Sequence, residues 1–170
     1  MKSIKFFAVA ILFSGVSVIS SAQVTATATA SSTIVTPIGI TKTVDMNFGN
    51  VAINSTTAGT VVLAPAGTRT STGGVTLPAT AGTVAAAEFN VTGANNYTFS
   101  ITLPSTSHEI KSGSNTMSVT GFTSTPTPTG TLSATGSAIV KVGATLNVSA
   151  GQAAGTYTSV TPFEVTVNYN

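Results

Sequence analysis

The chain has 170 residues, one histidine and no cysteine, which excludes a disulfide framework and thiol chemistry. Its formal charge of +2 comes from Lys2 and Lys5; Lys42, Arg69, Lys111 and Lys141 balance Asp45, Glu88, Glu109 and Glu164. That neutral, sparsely charged remainder has no residues for the basic patch that nucleic acid or anionic lipid requires, so the sequence pI of about 9.2 is no guide to partners.

The first 22 residues have the order of a secretory signal. Lys2 and Lys5 precede an apolar run from Phe6 to Ile19, and Ser20-Ser21-Ala22 supplies small residues before Gln23. The run is short for a membrane-spanning helix and no stop-transfer pattern follows. The sequence therefore predicts export through the periplasm to the cell surface or the extracellular space, with no membrane anchor in the mature chain. Cleavage after Ala22 leaves 170 − 22 = 148 residues, which suits one domain. Residues 37–170 are expected to form it, with residues 23–36 as an N-terminal extension or first strand. Low charge suits a chain that ends in an assembly or matrix.

Gln23 to Ala30 places Val24, Ala26, Ala28 and Ala30 on one side and Thr25, Thr27 and Thr29 on the other. Alternating β-branched threonines disfavour a helix, so the pattern predicts a strand with a small apolar face. In Ile38 to Phe48, the residues Ile38, Ile40, Val44, Met46 and Phe48 share a face broken only by Lys42, and Phe48-Gly49-Asn50 makes a turn. Thr60 to Ala64 reads as a short apolar strand, Pro65 to Gly74 as a loop around Arg69, and Val75 to Leu77 as another short strand. Ala85 to Val91 and Tyr97 to Leu103 read as the arms of a hairpin, turned by Gly93-Ala94-Asn95-Asn96. Thr116 to Thr120 is a strand, Ser124 to Gly130 an exposed loop, and Ala138 to Val148 the longest late strand.

The last strand has the clearest pattern. Phe163, Val165, Val167 and Tyr169 alternate with Glu164, Thr166 and Asn168. The sequence ends one residue after Tyr169, so the strand is expected to need a cover for its far edge, from an earlier strand or from another protein. Roughly eight strands without helical periodicity predict an all-β, antiparallel sandwich of the immunoglobulin type.

Residues for chemistry are sparse. A metal site needs several His, Cys or clustered carboxylates, whereas His108 beside Glu109 stands alone in a polar stretch and reads as an exposed loop or strand-edge residue. No Gly-x-Ser-x-Gly elbow or glycine-rich phosphate loop occurs. The sequence predicts no enzyme, no catalytic or metal-binding residues and no cofactor.

Several short segments in order resemble a known family: Val140-Lys141-Val142-Gly143-Ala144-Thr145-Leu146-Asn147-Val148, Ala150-Gly151-Gln152, Gly155-Thr156-Tyr157 and Val165-Thr166-Val167-Asn168-Tyr169. They are similar to the C-terminal half of spore coat protein U-like domains, the pilin subunits of archaic chaperone–usher fimbriae. Asn47-Phe48-Gly49-Asn50 and Ser112-Gly113-Ser114-Asn115 resemble turns of the same domains. The chain most resembles a related bacterial family, domain of unknown function 4402, whose members share the N-terminal Thr-Pro-Ile and Asn-Phe-Gly elements. The resemblance implies a pilin-like sandwich lacking its final strand. A neighbouring subunit's extension fills the gap, after a periplasmic chaperone and an usher have handled the subunit. Carried onto this chain, the donor is Val24, Ala26, Ala28 and Ala30, and the acceptor edge strand is Phe163, Val165, Val167 and Tyr169. Two features depart from the family. The usual early cysteine is absent near Ile34 and Val35, and the donor face is mostly alanine. Each missing methylene forgoes about 0.8 kcal/mol of burial, so either the groove is shallow or the segment pairs within its own chain.

The expected function is an exported, non-enzymatic structural subunit of a bacterial surface filament or matrix, with self-association or related subunits as partners. The alternative is a self-contained monomeric sandwich that binds a carbohydrate or protein through its loops.

Overall fold

The computed structural model describes residues 22–170, so the expected signal, apart from Ala22, lies outside the described residues. The chain divides into two units, residues 1–33 and 34–170. In the first unit, residues 22–33 are all exposed and form no strand, contrary to the alternation over Gln23 to Ala30. A strand's amides and carbonyls bond only to a neighbouring strand, so alternation alone does not make one.

The second unit is built from strands alone. They are β1 (Gly39–Val44), β2 (Asn47–Phe48), β3 (Ala52–Ile53), β4 (Gly59–Leu63), β5 (Arg69–Gly73), β6 (Val75–Thr76), β7 (Val84–Ala85), β8 (Ala87–Thr92), β9 (Thr98–Thr102), β10 (His108–Ser112), β11 (Asn115–Thr125), β12 (Thr129–Thr131), β13 (Ser137–Val148), β14 (Thr158–Ser159) and β15 (Thr166–Tyr169). All pairings are antiparallel. The fold is an all-β antiparallel sandwich, as the period-two patterning without helical periodicity predicts, but with fifteen strands where roughly eight were expected, five of them only two residues long.

The main sheet runs β1-β8-β13-β11-β10-β14. β13 is long enough to take two partners on one edge: β8 pairs with its first half and β4 with its second. A second sheet, β12-β9-β15, faces the first half. Between them lie Ala87, Phe89, Val91, Phe99, Leu132, Val140, Val142 and Val167. Val61, Val75, Val119, Ala144, Leu146 and Val148 form another core at the far end of β13, where Phe48, Val51 and Ile53 pack on it.

Three expectations are corrected. The arms on either side of Gly93–Asn96 form no hairpin: β8 pairs with β1 and β13, and β9 with β12 and β15. Phe89 and Val91 face the same core as Phe99 but from the opposite sheet, so burying all three requires the chain to arch between the sheets. Asn96, at φ 63°, makes the arch as readily as it would a hairpin turn. The loop assigned to Pro65–Gly74 is mostly strand β5, paired with β4 through its backbone. Ser124–Gly130 is not simply exposed, since β11 runs to Thr125 and Gly130 is buried against the Phe99 ring. His108 and Glu109 begin strand β10 and pair with β11 alone, since β14 reaches only Ile110 and Lys111, so they take the strand-edge position that was one of the two expected.

Candidate functional site

β15 keeps the alternation of its sequence. Val167 is 7% exposed, Phe163, Val165 and Tyr169 are half-buried against the same core, and Glu164, Thr166 and Asn168 are exposed. The regular strand is shorter than expected and begins at Thr166. Its register on β9 explains why. Thr166 lies opposite Thr102, so the next hydrogen-bonding position would set Glu164 against Pro104, which has no amide hydrogen to give.

The same register orients the backbone. The Asn170 amide donates to the Thr98 carbonyl at 3.2 Å. In an antiparallel ladder the groups facing one partner recur every second residue, so Asn168 and Thr166 also bond toward β9. The amides and carbonyls of Val165, Val167 and Tyr169 therefore point away from β9. Among the described residues no strand pairs with that edge of β15. The β12-β9-β15 sheet thus ends in an open edge whose side chains are apolar on the core side.

Across the sandwich from this edge lies β1, the last strand of the main sheet, paired only with β8. Ile38 and Ile40 pack on the same core as Val165 and Tyr169. Cα atoms of β1 and β15 come within 8 Å, inside the roughly 10 Å usual between packed sheets, so the sandwich is pinched here. The Tyr169 hydroxyl joins the two sides. It accepts from the Ala94 amide at 2.6 Å and donates to the Thr36 carbonyl at 2.7 Å, while its ring stacks edge-on against Tyr97. Gly93 makes room for it, because a Cβ there would meet the Tyr169 hydroxyl.

Where β15 has not yet begun, Phe163 anchors the chain among Phe122, Phe89 and His108, with ring centroids 5.1, 6.4 and 6.0 Å away. A cavity of about 370 Å³ opens beside it, lined by Leu103, Pro104, His108, Pro162, Phe163 and Glu164. The His108 ring also shares a hydrogen bond with Ser159, Nε2 to Oγ, at 2.9 Å. Glu109 is paired with Lys111 at 2.9 Å, Glu88 with Lys141 at 2.6 Å and Asp45 with Lys42 at 2.6 Å. Among the described residues no three His, Cys, Asp or Glu side chains gather as metal ligands would.

The four donor candidates, Val24, Ala26, Ala28 and Ala30, lie in the exposed first unit; Val24 is 93% exposed. Ile34, at 96%, has the same parity and extends that face, which the residue pattern alone had not included. The sequence reading also missed Arg69. Its guanidinium donates to the carbonyls of Phe48, Asn50 and Ala81 and clamps the turn after β2 to the approach to β7.

An antiparallel sandwich whose last strand leaves an edge unpaired among the described residues defines the structural class. Residues 38–169 match the model of the family described as Domain of unknown function (DUF4402), and the chain belongs to that family. No curated protein and no solved structure matches the chain.

Proposed function

We propose that the protein is an exported, non-enzymatic structural subunit of a bacterial surface filament or matrix, assembled by strand addition to the open edge of β15. The observation that carries this reading is that edge. The outward-pointing amides and carbonyls of Val165, Val167 and Tyr169 offer a ladder, and their side chains offer an apolar face. Strand addition uses both: main-chain bonds give affinity, and alternate side chains give register.

The proposed occupant is residues 23–34 of another copy or of a related subunit. This segment is exposed, forms no strand in its own chain, and carries Val24, Ala26, Ala28, Ala30 and Ile34 on one parity, interrupted only by Ser32. Alanines need the least widening of a pinched gap, where a row of leucines would force the sheets further apart still. The resemblance to archaic fimbrial subunits adds a periplasmic chaperone and an usher as partners in transit, and the leader-like residues 1–22 support export.

The absence of cysteine gives a direct test, because every disulfide in a variant is then an engineered one. Thr25→Cys, Thr27→Cys and Thr29→Cys variants are each mixed with an Asn168→Cys variant and oxidised. Residues facing each other across adjacent strands lie within disulfide reach. A mixed dimer from at least one pair is expected; none from any pair would sink the reading.

The alternative reading, a monomeric binder, draws on an open cavity of about 710 Å³ at the β4, β11 and β13 ends. It is lined mainly by polar residues, among them Thr60, His108, Glu109, Thr116 and Asn147. Saturable binding of a glycan by a protein that stays monomeric, abolished by Asn147→Ala, would favour it.

A further inference from the structure

The polar link between β15 and the start of β1 falls where an added strand would enter. Tyr169 donates to the Thr36 carbonyl, so the last strand holds the lead into β1. Val35 is half-buried and Ile34 is 96% exposed, so the chain leaves the sandwich two residues before this bond. The segment held by Tyr169 is therefore continuous with the segment proposed as the donor.

We infer that accepting a strand and donating one are coupled through Tyr169, so that an occupied subunit offers its own extension more freely than an empty one. This rests on the strand-addition reading above. A strand added to β15 must place its inward side chains between β15 and β1, and the two already approach within 8 Å. Entry therefore moves the start of β1 outward. Pro37 lacks an amide hydrogen, and among the described residues no backbone bond of residues 34–38 to another loop offsets the loss. The Tyr169–Thr36 bond is the interaction most directly opposed to that movement. Breaking it leaves Thr36 and Pro37 held only through the side chains of Val35 and Ile38, and so loosens the base of the donor segment. The empty subunit is held closed at both ends of this relay, which disfavours pairing between two empty subunits and favours growth at an occupied end. Such coupling gives assembly a lag and then steady elongation.

The test uses the mature protein and a synthetic peptide of residues 23–34. Hydrogen exchange is measured at the amides of Val35, Ile38 and Ile40, with and without peptide, alongside native mass spectrometry to count bound peptide. Peptide binding with faster exchange at these amides is the expected result. The Tyr169→Phe variant keeps the ring against Tyr97 and removes the bond. It should show the faster exchange without peptide, take up peptide about tenfold faster, the scale of one hydrogen bond, and lose the lag. Bound peptide with unchanged exchange in the wild-type protein overturns the coupling while leaving strand addition standing. Failure of the peptide to bind overturns both. The wild-type comparison decides the matter even if the variant does not fold.

Discussion

Val167 is the residue on which the open-edge strand depends most, and Val167→Asp is the perturbation with the largest expected effect. The side chain is 7% exposed and belongs to the core with Phe89, Val91, Phe99, Leu132 and Val140. Losing a buried valine forgoes about 2 kcal/mol of apolar burial. Burying a carboxyl group among these side chains adds several kcal/mol more, and the group escapes part of that only by staying protonated. The sum reaches about 5 kcal/mol, against about 5–15 kcal/mol for a whole domain. Asn168→Asp is the matched control one residue along, on the exposed face, where about 0.5 kcal/mol or less is expected. Urea unfolding followed by tyrosine fluorescence, with peptide-bound and peptide-free samples, gives both values. Val167→Asp should fail to accumulate or unfold without denaturant. A midpoint equal to that of Asn168→Asp would refute the placement of Val167 in the core and of β15 at its edge.

Gly130→Ala should cost about 1–3 kcal/mol, because the new methyl meets the fully buried Phe99 ring; thermal unfolding reads it directly. Arg69→Leu should cost about 1.5–3 kcal/mol by removing charged donors from the carbonyls of Phe48, Asn50 and Ala81, with the loss seen as a lower denaturation midpoint. His108→Ala and Glu109→Gln should leave assembly intact in sedimentation experiments, and loss of assembly with folding unchanged would assign these residues a part in the interface. N-terminal sequencing of exported protein should begin at Gln23, since Ser20 and Ala22 supply the small residues of a cleavage site.

The parity of β15 was legible because one face is buried and the other wet: Phe163, Val165, Val167 and Tyr169 all lie on the core side. The same holds for β13, whose Val140, Val142, Ala144, Leu146 and Val148 are buried in turn. Sheet membership was not legible. Two strands with inward apolar faces and a turn between them satisfy a hairpin and an arch equally, and only the opposite sides of Phe89 and Phe99 in the core separate the two. β5 left no signal because Arg69-Thr70-Ser71-Thr72-Gly73 is polar on both faces and is held by its backbone to β4. Alternation pointed the Tyr169 ring inward. Its hydroxyl partners, Ala94 and Thr36, lie 75 and 133 residues away in sequence, and no local pattern reports such a meeting.

Strand donation by the N-terminal segment is tested most directly by comparing the mature chain with a variant lacking Gln23 to Ser31. Sedimentation velocity across a hundredfold range of concentration, with electron microscopy of the same samples, reads the outcome. The intact chain is expected to form concentration-dependent oligomers or filaments. The shortened chain is expected to fold and stay monomeric, and to gain stability when a peptide of residues 23–34 is added in trans. A shortened chain that assembles like its parent, or an intact chain that is monomeric at every concentration, would contradict the account.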